Sequence, residues 1–129
     1  MDNNKSKRFN RTKRHKRLRI RIKGTIQRPR VSVFKSNRHI FVQVIDDTTG
    51  KTLISSDTSV GTSTKSSGHK VKTALKGTKT EIAKAIGSKI AEKMKESGIS
   101  EAVFDRGGFK FHGRIKAVAE SLRKGGIKI

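Results

Sequence analysis

The residues best suited to catalysis in this 129-residue chain are the aspartates Asp46, Asp47, Asp57 and Asp105. Grouped on a sheet, such carboxylates could hold the two metal ions of a nuclease. Their spacing argues against that site, because Asp46 and Asp47 are adjacent in a segment with the composition of a turn. The other acids have no metal-binding spacing either.

Histidines and nucleophiles form no catalytic pattern. The histidines His15, His39, His69 and His112 make no i, i+4 pair, and the chain has no cysteine. It also lacks a Gly-x-Ser-x-Gly elbow and a Walker-type phosphate loop. We therefore expect no enzymatic activity, no metal and no cofactor. A metal-dependent nuclease stays as an alternative, which magnesium-dependent cleavage would reveal.

The charge of the chain predicts a polyanionic partner. Thirty-two Lys and Arg oppose 10 Asp and Glu, for a formal net charge of +22. A compact domain with this charge repels itself, and nucleic acid relieves the repulsion while releasing counterions. The sequence has no apolar run that could span a membrane and no secretory signal. The absence of cysteine is compatible with the cytoplasm.

The cations are densest in residues 1–24, which hold eleven Lys or Arg and one acid, Asp2. This basic extension cannot bury itself, so we expect it to be disordered or helical and to contact phosphates. A solubilising tail and a mitochondrial presequence are the alternatives. The cations are too dense and the aliphatic residues too few for a presequence.

Two further segments could bind nucleic acid. Residues 35–39 form a predicted hairpin tip with three donor side chains, although any exposed turn is polar. Residues 105–114 lie between a predicted strand and a helix N-terminus, where ligands often bind. There, Phe109 and Phe111 either stack on unpaired bases or pack under the sheet. Both interpretations stay open from these residues alone.

Periodicity predicts the elements that position these segments. Strands at 31–35, 39–45 and 52–56 alternate in polarity and have short links, which is typical of an antiparallel meander. A capping box at Thr78–Glu81 begins a helix with an apolar face of Ile82, Ala85, Ile86, Ile90 and Met94. Gly98 is expected to end that helix.

A strand at 102–104 and a helix at about 114–123, ended by Gly125, complete the prediction. Ile115, Val118 and Leu122 should face the sheet. A right-handed crossover would place the fourth strand parallel to a member of the meander. The fold class is therefore α/β, with a single domain at 25–129 after the extension. Residues 57–77 are predicted to be a basic loop with a helical turn at 71–76.

Two segments resemble a known family. Residues 28–46 (RPRVSVFKSNRHIFVQVID) resemble the hairpin of the L-eighteen family of large-subunit ribosomal proteins. Residues 104–117 (FDRGGFKFHGRIKA) resemble its C-terminal signature. The resemblance implies a monomer in the large ribosomal subunit of the cytoplasm, next to other proteins of the central protuberance. It also implies binding of 5S rRNA and its attachment to large-subunit rRNA.

The resemblance further implies which residues contact rRNA. By position these are Lys7, Arg8, Arg11, Lys13, Arg14, His15, Lys16, Arg17, Arg19, Arg21, Lys23, Arg30, Lys35, Ser36, Asn37, Arg38, His39, Arg106, Gly107, Gly108, Phe109, Lys110, Phe111, His112, Gly113, Arg114 and Lys116. The family usually has tyrosine at Phe41, Phe109 and Phe111, so a phenolic hydrogen bond is lost at each. A DNA-binding architectural protein is the second alternative, and duplex DNA would then compete as well as 5S rRNA.

Overall fold

A computed structural model describes residues 3–37, 39–57 and 77–129. Its elements in chain order are α1 (Asn3–Arg21), β1 (Arg30–Lys35), β2 (Ile40–Asp46), β3 (Lys51–Asp57), α2 (Lys79–Glu96), β4 (Val103–Asp105) and α3 (Gly113–Lys124). Most of the predicted basic loop, its helical turn, His69 and Arg38 lie outside the described residues.

The four strands form one mixed sheet in the order β3-β2-β1-β4. Strand β1 is antiparallel to β2, and β2 is antiparallel to β3. Strand β4 is parallel to β1, with Val31 opposite Phe104. The α/β class and the mixed sheet are thus confirmed. The hand of the connection from β3 to β4 stays a prediction.

The core lies between one face of this sheet and helices α2 and α3. Alternate residues of β1 and β2 point into it, because successive side chains of a strand face opposite sides. Their buried members are Val31, Val33, Ile40, Val42 and Val44, each at most 2% exposed. Ile115, Val118 and Leu122 of α3 are fully buried, as their predicted apolar face requires, and the contact of that face with the sheet stays a prediction.

Helix α2 buries a different arc from the predicted one. Ile86, Ile90 and Met94 are fully buried as predicted, but Ile82 and Ala85 are only half-buried. Ala83, Gly87 and Ala91 are buried instead. The reason is that α2 packs against both the sheet and α3. A Cβ on Gly87 would lie 2.6 Å from Cβ of Ser121, so glycine permits this close helix pair.

The ends of α2 are confirmed in detail. The Thr78 side chain accepts from the backbone N–H of Glu81, and the Glu81 carboxylate accepts from the N–H of Thr78. Gly98 follows the helix with φ 74°, a left-handed conformation that glycine adopts without steric cost.

Loss of this capping box should destabilise the fold modestly. Thr78→Ala is expected to lower the free energy of unfolding by about 1 kcal/mol, since it leaves one helix N–H without its partner. Urea denaturation followed by circular dichroism measures the change. Thr80→Ala, at an exposed position in the same turn, is the matched control. Equal effects of the two substitutions would contradict the role of the cap.

Candidate nucleic-acid interface

Helix α1 carries most of the cations of the basic extension. It spans Asn3–Arg21 and has no buried residue. Arg11, His15 and Leu18 are nevertheless half-buried, at a spacing of i, i+4 and i+7 that defines one helix face. The sequence left helix and strand open for this segment, because Leu18, Ile20 and Ile22 also alternate. The structure has a helix with one side resting on the domain.

Polar contacts attach that side of α1 to the loop after β4. Nε of Arg14 donates to the carbonyl oxygen of Gly108 at 3.0 Å. Nε2 of His15 lies 3.4 Å from Oδ2 of Asp105, which is fully buried. The attachment therefore relies on polar and charged groups, since no apolar side chain of α1 is buried.

Arg30 and two aspartates form a buried charge cluster beside this attachment. Arg30 donates from Nε and Nη2 to the two carboxylate oxygens of Asp47, at 2.9 and 3.1 Å. Its Nη1 donates to Oδ2 of Asp105 at 2.8 Å. Asp47 also accepts from Nη1 of Arg19 at 3.3 Å and from the N–H of Gly24 at 2.8 Å.

The cluster stabilises the charged forms of Asp47 and Arg30. The guanidinium of Arg30 holds the pKa of Asp47 well below its ordinary range, and burial only partly opposes this. Burial of Arg30 lowers its own pKa, but its hydrogen bonds to Asp47 and Asp105 outweigh that effect, so the net shift is upward. Arg30 is only 7% exposed, Asp105 is fully buried and Asp47 is half-buried. Arg30 therefore does not present a free guanidinium to a phosphate.

The turn role predicted for the two adjacent aspartates applies to Asp46 but not to Asp47. Asp46 accepts from the side chains and backbone of its own turn, including Thr48 and Thr49, and this lowers its pKa. Asp47 instead joins α1 and β1. Sequence reasoning missed the contacts of Asp47 and Asp105 with Arg30, because they join residues 17 and 75 positions apart.

The hairpin tip and the loop before α3 lie next to each other. Ser36 and His39 close the tip with a backbone hydrogen bond of 2.8 Å from the Ser36 N–H. Nη1 of Arg114, from the start of α3, donates to the carbonyl oxygen of His39 at 3.5 Å. Burial lowers the pKa of Lys35, and the neighbouring positive charge of Arg114 lowers it further. Two predicted segments thus form one cationic surface.

The structure separates the two phenylalanines of the loop. Phe109 is only 9% exposed, and its ring packs on Phe34 with a centroid distance of 5.8 Å. Arg11 and Lys35 cover the same ring, at 4.8 and 5.5 Å from its centre. Phe111 is 44% exposed, so its ring can meet a base while Phe109 serves as packing.

The remaining predicted residues fall into two groups. Arg106 and Lys116 have protein partners, since Arg106 donates to the Phe109 carbonyl at 2.7 Å and Lys116 lies 3.8 Å from Glu120. The others are at the surface: Lys7, Arg8, Lys13, Lys16, Arg17, Arg21, Lys23, Ser36, Asn37, Lys110, His112 and Gly113. Within the described ranges, no acid is within 4.0 Å of the cations in this group.

Two other kinds of site are absent from the described part of the chain. No group of three or more His, Asp or Glu residues there could hold a metal ion. None of the helices described combines the length and apolar character needed to cross a membrane. The cationic surface is thus the main candidate site.

Comparisons with known proteins identify the family of the chain. Residues 5–129 match the family model described as ribosomal L18 of archaea, bacteria, mitochondria and chloroplasts. Proteins from two strains of Streptococcus suis, 05ZYH33 and 98HAH33, are each 49% identical over 118 residues. These matches cover 92% of this chain and 88% of each relative, and both relatives are called large ribosomal subunit protein uL18. The chain therefore belongs to the ribosomal L18 family.

Proposed function

We propose that the chain is a structural component of the large ribosomal subunit that binds 5S rRNA. In this role it helps to attach 5S rRNA to the large-subunit rRNA in the central protuberance, as a single copy in the cytoplasmic ribosome. Membership of the ribosomal L18 family supports the ribosomal part of the proposal. The names of the Streptococcus suis relatives support the large subunit as the location.

One observation carries the RNA-binding part of the proposal. Arg11 of α1, Lys35 of the hairpin tip and the loop before α3 meet around the ring of Phe109. Burial lowers the pKa of Lys35, and the neighbouring Arg114 lowers it further, as one cation does to another. Unneutralised cations from three separate parts of the chain therefore share one surface. A polyanion with a defined shape is the partner that suits it.

Residues 1–24 form the basic extension of this interface, and residues 25–129 form the rRNA-binding domain. The outward cations of α1 supply affinity, because each neutralised phosphate releases counterions. The tip and the loop supply shape recognition, since proteins read folded RNA largely through its shape and unpaired bases. Phe111 is the candidate for base stacking. Arg30 contributes to the interface indirectly, because it holds Asp47 and Asp105 in position.

A competition experiment tests the proposal. Labelled 5S rRNA is bound to the full-length protein on filters at about 0.15 M salt, where nonspecific electrostatic binding is already weakened. Unlabelled 5S rRNA, tRNA and duplex DNA are then added as competitors. We expect effective competition from unlabelled 5S rRNA alone.

Two other outcomes would overturn the proposal. Equal competition by all three nucleic acids would indicate a nonspecific or architectural binding protein. Cleavage of the labelled RNA only in the presence of magnesium, and its loss in Asp46→Asn or Asp105→Asn, would indicate a nuclease.

A further inference from the structure

The glycine-rich loop after β4 already has a partner within the chain. Gly108 is buried, and a Cβ placed on it would lie 2.5 Å from the backbone carbonyl oxygen of Arg11 in α1. The same Cβ would be 3.1 Å from the backbone nitrogen of His15. The close approach that glycine allows here therefore brings the loop against helix α1.

Acidic side chains hold the same helix at two further points. Asp105 accepts from Arg30, lies 3.4 Å from His15, and binds the N–H of Gly107 at 2.9 Å. Asp47 accepts from Arg19 near the other end of the contact. Each carboxylate contacts one residue of α1 and also Arg30 of β1. The two aspartates therefore join the helix to the domain and share Arg30 as a partner.

We propose that Asp47, Asp105 and Gly108 form a helix seat, which holds α1 across the domain so that its outward cations face the RNA together. The three are positioning residues, since they act on RNA through α1 and through Arg30. The inference rests on the proposed function and adds residues to it. Two of them are acidic, which is the opposite of what phosphate binding alone selects.

Because two of these residues are acidic, the direction of the change in RNA affinity on their replacement tests the inference. If the carboxylates had no positioning role, replacing one by an amide would remove repulsion of the phosphates and tighten binding. If they hold α1, the same replacement leaves the outward cations less well ordered, and binding weakens because more freedom is lost on association. The sign of the affinity change therefore separates the two explanations.

The first pair of variants compares neighbouring aspartates. Asp47→Asn removes a carboxylate that α1 contacts, whereas Asp46→Asn removes one bonded to Thr48 and Thr49 within its own turn. Both add the same formal charge. We expect Asp47→Asn to bind 5S rRNA about tenfold more weakly than Asp46→Asn at the same salt concentration.

The second pair changes no charge. Gly108→Ala places a methyl group against the α1 backbone at a φ of 79°, while Gly98→Ala carries similar backbone strain at 74° with nothing within 4 Å. Gly98 lies after α2, outside the proposed interface. We expect only Gly108→Ala to weaken RNA binding, again by about tenfold.

The position of the helix is measured directly in the RNA complex. Because the chain has no cysteine, Asn10→Cys on α1 and Ser100→Cys in the loop before β4 give a unique pair for spin labels. We expect a narrow distance distribution in the parent and in Asp46→Asn, and a broad one in Asp47→Asn and Gly108→Ala. A purely structural role would not alter this distribution in a complex that still forms.

The outcomes distinguish the two proposals. A parent protein with no preference for 5S rRNA overturns the proposed function and this inference with it. A parent that prefers 5S rRNA, together with unchanged or tighter binding by Asp47→Asn and Gly108→Ala, overturns the inference alone. Thermal unfolding of each variant, followed by circular dichroism, identifies any that does not fold, and the remaining variant and the distance measurement then decide.

Discussion

Arg30→Ala is expected to lower the free energy of unfolding at pH 7 by about 3–5 kcal/mol, the usual cost of removing one partner from a buried ion cluster. Asp105 has no exposed surface and would lose its strongest cationic partner, at 2.8 Å. Asp47 would lose two hydrogen bonds at the same time. Urea denaturation measures the change, and Arg28→Ala, an exposed arginine of the same segment, is the control.

The same variant has a predictable pH dependence. The pKa of Asp47 is depressed in the folded protein, so its ionised form adds stability above the unfolded pKa of about 3.9. That contribution is lost as the pH falls through the folded pKa. The difference in stability between the parent protein and Arg30→Ala should therefore be largest near pH 7 and shrink below about pH 4. A difference that is constant from pH 7 to pH 3 would contradict the ionic origin of the effect.

The combined change of Lys16, Arg17 and Arg21 to alanine is expected to have the largest effect on RNA binding. All three side chains are exposed on α1, with no acidic partner among the described residues. Loss of three phosphate contacts should reduce the slope of log affinity against log salt by about two to three. The affinity for 5S rRNA should fall about a hundredfold at 0.15 M salt.

A charge-matched variant makes that result interpretable. Lys79, Lys84 and Lys93 are exposed on α2, and changing them to alanine removes the same formal charge from another part of the protein. We expect this control to keep most of the affinity and the salt slope. Equal losses in the two triple variants would mean that net charge alone, rather than α1, drives binding.

Several elements could be predicted because their causes are local. The alternation of Ile40, Val42 and Val44 predicts which face of β2 is buried, since successive side chains of a strand point to opposite faces. The capping box at Thr78 and the glycine at 98 predict the ends of α2 for the same reason. The arc of α2 was less predictable, because burial of Gly87 and Ala91 depends on where α3 packs.

The candidate site also has features that the sequence predicts and features that it does not. Clustered cations predicted α1 as an interface from composition alone, but not which of them face the domain. The partners of Arg30 are 17 and 75 residues away, and the residue that Arg14 contacts is 94 away. No periodic pattern connects residues at such separations. The same limit applied to Phe109 and Phe111, which are two residues apart but differ in exposure and in partner, since Phe109 packs on Phe34 and Phe111 on Phe104.

By itself, the sequence determined that this is a basic α/β protein of the ribosomal L18 family with a nucleic-acid partner. Charge density, alternation and two long motifs are properties of consecutive residues, so they can be read without coordinates. Only the tertiary structure decided that Arg30 and Asp105 are internal and that Gly108 contacts α1. These facts arise when the folded chain brings distant segments together, because burial and ion pairing depend on spatial neighbours.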